Sequence, residues 1–532
     1  MMPFLFKLSC IMQLKRGWHF YLALGLFAVY LINGLIAIPR NSITYDEMDH
    51  WSYGKRILMR KTDKIYPFDD ASAMPVSGLN AIPRAVQQLS NPGLLKTDGG
   101  LSDIMNGRYV TLIVCLLTGF FIYTWSKQLF GEKGGLLSLF VFVFCPNLNG
   151  HGILLTTDAY TALFTVMTAY FYWKFIKRSG WKYFLAFCIS LAVAQIVKYS
   201  MIHLYVFLSI VSLFVLIKRG TILSGFKRNL LRLIVLKIII LFIINLGFLF
   251  NHPGKNLDDL KMSSQTFTKL QNSFIGSIPL PVPEPYIVGL DQTTYMNELG
   301  AGDPNVSDAN YLLGKKRAGM GFWYYYLVVF VFKTPLTALS FLLAAIIFLF
   351  VRDKNQGHPS TMVFLLSMIF YFLLVLGFQN NVQIGIRHAL LIYPLLYVVC
   401  GFIVQLPFYQ KRTKLLSSLL VVYSLATYYY FFPNLISYSN ELIPIKKDVY
   451  KVMADSNLDF GQGWYSLDKY LKSHPDVHLM TDKPGEGKFV IGVNDYLDLK
   501  GRNEFYWVHN LKPVAQINHC FLLFYVTAAD IK

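Results

Sequence analysis

Asp46 and Glu47 stand side by side in "NSITYDEMDHWSYGKR", just past the first strongly apolar stretch of the chain. Two carboxylates where a membrane span meets water are costly unless they hold something or remove a proton. Other polar residues gather at the ends of other apolar stretches. "PNLNGHGILLTTDAYTA" holds His151 and Asp158, "QIVKYSMIH" holds Lys198, and Lys333 precedes Thr334-Pro335. "QNNVQIGIRHALLIYP" adds Gln383, Arg387 and His388. A carboxylate can serve as a base, and Arg, Lys and His can hold a phosphate. Collected from separate loops at one membrane face, these residues suit a cavity for a charged substrate with a lipid tail.

The elements that must position them are membrane helices. Over 532 residues the chain is 54% hydrophobic and only 15% charged. Its mean hydropathy is +0.43, outside the range of soluble globular proteins. Apolar stretches recur near 18–38, 109–125, 134–148, 159–175, 183–197, 201–217, 231–250, 334–351, 361–378, 388–406 and 415–432. If each crosses once, they make about 11 transmembrane helices, although 134–148 and 183–197 are short for a crossing.

Charge placement supports that order. With the N-terminus in the cytoplasm, the inner pieces are 1–17, 126–133, 174–182, 218–232, 352–354 and 409–414. They hold nineteen Lys and Arg against only Glu132 and Asp353, which is the positive-inside bias of short loops. This accounts for nearly all of the formal net charge of +19, so no nucleic-acid partner is needed to explain a basic chain. The stretch 18–38 follows Lys15-Arg16, is too long for a signal core, and runs into Ile38-Pro39-Arg40; it reads as a retained helix. Cys10, Cys115, Cys145, Cys188 and Cys400 lie in or beside spans, and Cys520 stands alone, so neither a disulfide framework nor a CxxC pair is present.

The expected fold is an all-α polytopic membrane domain over 1–432, with large outer loops at 39–107 and 251–333. A small α/β extracytoplasmic module follows over 433–532, with strands at "KFVIGV" and "HCFLLFYV" and a helix at "GWYSLDKYLKS". The aromatic run in "GFWYYYLVVFVFKTP" reads as an interfacial segment before the chain dives at Lys333-Thr334-Pro335. Stacking of that run against a sugar is the alternative.

Six motifs, in order, resemble a known family: "TYDEMDHWSYGKR", "HGILLTTDAYTALF", "KYSMIHLY", "KTPLTAL", "GIRHALLIYPLLYV" and "DSNLDFGQGWYSLDKYL". They are similar to bacterial relatives of the protein O-mannosyltransferases, which belong to the class C, polyprenyl-phosphate-sugar-dependent glycosyltransferases. The resemblance spans nearly the whole chain. It implies a class C glycosyltransferase fold, an active site at the outer face, and a catalytic acid in the first outer loop. It also implies a sugar donor carried on dolichyl or undecaprenyl phosphate, and a multi-pass protein of the bacterial inner membrane. Aminoarabinose transferases of lipid A look like a more distant branch. The chain departs from the pattern at Phe460, where Trp is usual, at Gly463, where an acid is common, and at "NAIPRAV", where many relatives carry "PPL".

The implied reaction moves a sugar, such as the hexose mannose, from a lipid phosphate to a hydroxyl of a protein, lipid A or another glycan. It needs a base for the acceptor's proton and cations for the departing phosphate. A phosphate leaves without protonation, so one carboxylate suffices where an inverting glycosidase needs two. Asp46 is the expected base. Glu47 would orient the acceptor or hold the following helix, and the two roles can be exchanged; a helix N-cap is the structural alternative. Arg387, His388, Lys198 and Lys333 are the expected phosphate ligands. Interfacial anchoring is the alternative for each cation, and a polar helix entry for His388. His151, Asp158 and Gln383 are expected to support the substrate site. Asp158 also fits a helix N-terminus, and His151 a structural turn. No HExxH, DxD or clustered His/Cys spacing appears, so no cofactor is expected to be required and a divalent metal, though chemically open, has no motif in its support. "DSNLDFGQ" reads as a structural or acceptor-facing element.

Two other classes share the gross features. A lipid-linked-sugar flippase would show inverted halves or charges near span centres; here only Lys237 approaches a midplane. A catalytically inactive scaffold of the same fold would not need Asp46-Glu47 and Arg387.

Overall fold

The computed structural model describes residues 17–97, 99–220, 224–351 and 358–531. Cys10, Lys15, Arg16 and the expected inner loop 352–354 lie outside the described residues. Long helices form where the sequence runs apolar without interruption: α1 (Trp18–Ala37), then, beyond the short amphipathic helices α2 (Glu47–Leu58) and α3 (Gly78–Gln87), α4 (Leu101–Val143). They continue as α5 (Asp158–Arg178), α6 (Trp181–Ala194), α7 (His203–Lys218) and α8 (Phe226–Gly247). After α9 (Glu284–Leu299) come α10 (Tyr325–Lys333), α11 (Leu336–Val351), α12 (Pro359–Gln379), α13 (Tyr393–Cys400), α14 (Thr413–Phe431) and α15 (Trp464–Ser473).

Among the described residues, six helices are long and apolar enough to cross a membrane, or seven if the bent pair α10 and α11 is one span. The chain is a multi-span membrane protein. Part of the difference from the eleven expected stretches has identifiable sources. Helix α6 is short, and α4 contains two of the stretches. It breaks at Gly131, whose φ of 77° and ψ of −178° suit a residue without a Cβ. The hydroxyls of Ser126 and Ser138 meet at 2.7 Å, whereas a straight helix would hold them about 18 Å apart. The second arm of α4 therefore folds back along the first.

The other sharp bend lies where the sequence places it. Helices α10 and α11 meet at 116°, across Thr334 with extended ψ of 131° and Pro335, which has no N–H to continue the ladder. Helix α4 packs on α1, α5 and α13, and α13 in turn contacts α11 and α12. The span Ile386–Gln405, which contains α13, has 83% of its apolar window buried, against 11% for α8 at the bundle's edge.

The last hundred residues hold a four-stranded sheet ordered β3 (Val477–Leu479), β4 (Gly487–Gly492), β6 (Phe521–Val526), β5 (Ala515–Ile517). A separate hairpin, β1 (Asn310–Leu312) with β2 (Lys315–Arg317), lies in the 251–333 segment. Strands β3 and β4 are parallel and the other sheet pairs antiparallel. Leu467 of α15 packs with Val490, Phe521 and Leu523, so the sheet has a small core of its own.

"DSNLDFGQ" ties this part to the membrane helices. Ser42 N donates to Gln462 O at 3.1 Å, and Tyr45 N to Phe460 O at 3.3 Å. Ile386 N donates to the Asn457 side chain at 2.9 Å. Of the two readings open for this element, the contacts support the structural one.

One buried ion pair fixes the start of α2. Arg108 of α4 and Glu47 are both fully enclosed. Arg108 Nε donates to Glu47 Oε1 at 2.8 Å and Nη2 to Oε2 at 2.6 Å. The remaining guanidinium hydrogens go to the carbonyls of Ile38, Asn41 and Ser42 at 3.1, 2.8 and 2.7 Å. Glu47 also accepts from Thr44 N and Oγ1 and from Leu155 N, at 2.8, 2.9 and 2.8 Å. All five guanidinium donors are used, which is the condition under which a buried pair holds together. Glu47→Ala or Arg108→Ala leaves one charge buried alone and should cost about 3–5 kcal/mol. Thermal denaturation of the detergent-solubilised variants should show a large drop in Tm, with the double variant losing less than the sum. Unchanged melting of Glu47→Ala would contradict this role.

Candidate active site

Glu47 anchored in the interior leaves its neighbour to face the other way. Asp46 occupies the N-cap position of α2 but makes no side-chain capping bond. Its carboxylate instead pairs with Arg387 Nη1 across 341 residues of sequence. Successive residues at a helix start project in different directions, so adjacent carboxylates meet different partners.

Arg387 enters from the turn before α13. Its guanidinium lies 4.4 Å over the Phe460 ring, Nε donates to Ile384 O at 3.3 Å, and Nη1 is 3.8 Å from Asp158 Oδ2. Phe460, where relatives of the resembled family usually carry Trp, supplies the aromatic face beneath the cation. Asp158 is the first residue of α5 and is 2% exposed. Lys198, in the turn between α6 and α7, donates to its Oδ1 at 2.7 Å. Asp158 thus orders two cations as well as opening a helix.

These side chains line one cavity of about 470 Å³. Asp46, Asp158, Lys198, Arg387 and His388 all reach it. His388 Nδ1 lies 3.2 Å from the Tyr326 hydroxyl and 3.1 Å from the Asn380 amide. One flank is apolar: Ile202 beside the start of α7, and Val375 and Leu376 near the end of α12. The lining also includes residues of α9, among them Leu290 and Thr293, and Phe68, Asp69 and Ser72 of the first large loop.

Four expected residues do not line the cavity. Glu47 is spent on Arg108. Lys333 is fully buried and donates to Ile436 O at 2.5 Å and Asn457 O at 2.6 Å; the bend at Pro335 turns it toward the C-terminal segment. It is a strut between α10 and that segment, away from the expected phosphate position. Gln383 pairs through its side chain with the backbone of Phe322, at 2.7 and 2.9 Å. His151 is buried behind Phe460, with ring centroids 6.5 Å apart. Among the described residues, no group of three or more His, Cys, Asp and Glu is placed to hold a metal.

Three residues of the site were not singled out from the sequence. Arg108 anchors Glu47; an arginine at the entry to an apolar span calls for a buried partner. Asp49 and His50 both line the cavity, Asp49 one helical turn beyond Asp46. Burial pushes the Asp49 carboxyl up to about 7, with Asp69 and Asp46 adding to the shift. Burial pushes His50 down to about 4 against the pull of Asp46 and Asp158, so its ring is neutral at physiological pH.

The sequence of residues 101–247 matches the family model described as dolichyl-phosphate-mannose-protein mannosyltransferase. A search of curated proteins finds no match. Among solved structures, the apo oligosaccharyltransferase of Archaeoglobus fulgidus aligns with a TM-score of 0.46 at 11% identity, over 82% of this chain. The chain spans 58% of that protein's length. AglB from the same organism, in complex with an inhibitory peptide and a dolichol-phosphate, gives 0.44 at 12% identity, over 78% of this chain and 54% of that one. ArnT from Cupriavidus metallidurans bound to undecaprenyl phosphate gives 0.33 at 12% identity, covering 96% of this chain and 98% of its own. The family resemblance read from the motifs is thus borne out in α4 through α8, where residues 101–247 match the model of the dolichyl-phosphate-mannose-protein mannosyltransferases, a family of glycosyltransferases.

Proposed function

We propose that the protein is an integral-membrane glycosyltransferase that moves one sugar, a hexose such as mannose, from a polyprenyl-phosphate donor to an acceptor hydroxyl. The observation that carries this reading is the cavity itself. A carboxylate from the first loop pairs with Arg387 in a cavity that Lys198 also lines, and an apolar flank between α7 and α12 lets a lipid tail lie among the spans. In this reading all eleven apolar stretches cross the membrane, the N-terminus is cytoplasmic, and the cavity opens on the outer face of a bacterial inner membrane. Residues 1–432 form the transferase domain, and 433–532 an extracytoplasmic domain. The acceptor is a protein, lipid A or glycan hydroxyl.

The chemistry is a single inverting displacement. Asp46 takes the proton from the acceptor O–H as the acceptor oxygen bonds to the sugar's anomeric carbon. The bond from that carbon to the phosphate oxygen breaks, and its electron pair leaves with the lipid phosphate. Arg387 and Lys198 stabilise that phosphate, Arg387 with a planar fork of donors. His388, held by Tyr326 and Asn380, faces the same phosphate. No step requires protonation of the leaving group.

Purified protein in liposomes, given a polyprenyl-phosphate hexose and a hydroxyl acceptor, should produce glycosylated acceptor. Asp46→Asn should lower the transfer rate by about 100-fold or more while the protein stays folded. Full activity of that variant would remove Asp46 from the base role. Movement of the lipid-linked sugar across the bilayer without transfer would replace the reading with a flippase.

Asp49 adds a pH dependence with a definite sign. Its carboxyl ionises near pH 7, so the cavity gains a negative charge as pH rises through that value. The donor is a phosphodiester whose single charge does not change there, so its binding weakens as pH rises. KM for the donor should rise on the order of threefold between pH 6 and 8. Asp49→Asn should flatten that rise. A wild-type KM that is constant over this range would contradict it.

A further inference from the structure

The cavity holds its proposed base and its main phosphate ligand against each other. Arg387 is fixed from behind by the Phe460 face, the Ile384 carbonyl and the neighbouring Asp158. Its front partner is Asp46, whose side chain keeps 32% exposure while Arg387 keeps 5%. A phosphate arriving at Arg387 must therefore compete with Asp46, and Asp46 is the less enclosed of the two.

We infer that Arg387 is the positioning residue for Asp46, and that the donor phosphate releases the base by displacing it from this ion pair. The inference rests on the glycosyl-transfer reading of the cavity and adds an order to it. Without donor, the carboxylate is occupied by the guanidinium and is not offered to an acceptor. With donor bound, the phosphate takes the guanidinium and the carboxylate is free beside the anomeric carbon. This couples base activity to the presence of a sugar to transfer.

Charge balance closes the cycle. Before transfer, Asp46 and the donor phosphodiester carry one negative charge each. Transfer moves the acceptor proton to Asp46, and the electron pair of the broken bond to the phosphate, which becomes a monoester with up to two negative charges. Neutral Asp46 no longer competes, so the product phosphate keeps Arg387. Loss of the proton from Asp46 to solvent restores the competitor, which reclaims Arg387 and expels the lipid phosphate. Asp46 thus serves as base in one half of the cycle and as product displacer in the other.

The test uses binding, which does not depend on transfer. Wild-type, Asp46→Asn, Asp46→Ala and Arg387→Ala proteins in phosphatidylcholine nanodiscs are titrated with undecaprenyl phosphate at pH 7.5, each first shown to be monodisperse. Both Asp46 variants should bind about tenfold more tightly than wild type, equivalent to about 1.4 kcal/mol, although transfer is impaired in both. Arg387→Ala should lose binding alone and when combined with Asp46→Asn. Equal or weaker binding by both Asp46 variants overturns the inference and leaves the transferase reading standing. Absence of binding by every protein, wild type included, overturns the reading and the inference together.

Discussion

The site depends on the buried pair of Glu47 and Arg108. A charge without water around it demands a complete set of partners, and this pair has one: two carboxylate oxygens and five guanidinium donors, all used within the fold. The pair joins the first large loop to α4, and it sets where α2 begins. Asp46 then has little choice of direction. Its neighbour points inward, so it points to the cavity.

Around Asp46 the fold sets opposite charges in alternation. Arg387 lies between Asp46 and Asp158, and Asp158 lies between Arg387 and Lys198. Each cation is held by a carboxylate, which lets charged groups sit beside apolar spans. The arrangement also makes an incoming anion a competitor with groups already present. Phe460 and Asn457, from a segment far along the chain, brace this row from below. The C-terminal part therefore shapes the cavity without lining it.

Much of this was legible in the sequence. Apolar stretches gave the helices, and the break at Thr334-Pro335 gave the bend between α10 and α11. Asp46, Asp158, Lys198, Arg387 and His388 could be assembled because each sits where an apolar stretch ends. What could not be read was the direction of side chains beyond those ends. Lys333 has the same sequence setting as Lys198, yet a proline bend turns one into the interior while a short turn leaves the other at the cavity. Glu47 and Asp46 differ by one position and go to opposite sides. Arg108 was missed because its meaning lies in a partner 61 residues away. Asp49 was missed because its altered proton affinity comes from burial and from Asp69, neither visible in a linear pattern.

The account stands on where a lipid phosphate binds. A cryo-electron microscopy structure of the full chain in nanodiscs with undecaprenyl phosphate tests this most directly. The prediction is phosphate density between Arg387 and Lys198, a lipid tail leaving between α7 and α12, and Asp46 separated from Arg387. Phosphate bound elsewhere, or bound with the Asp46–Arg387 pair intact, would contradict it.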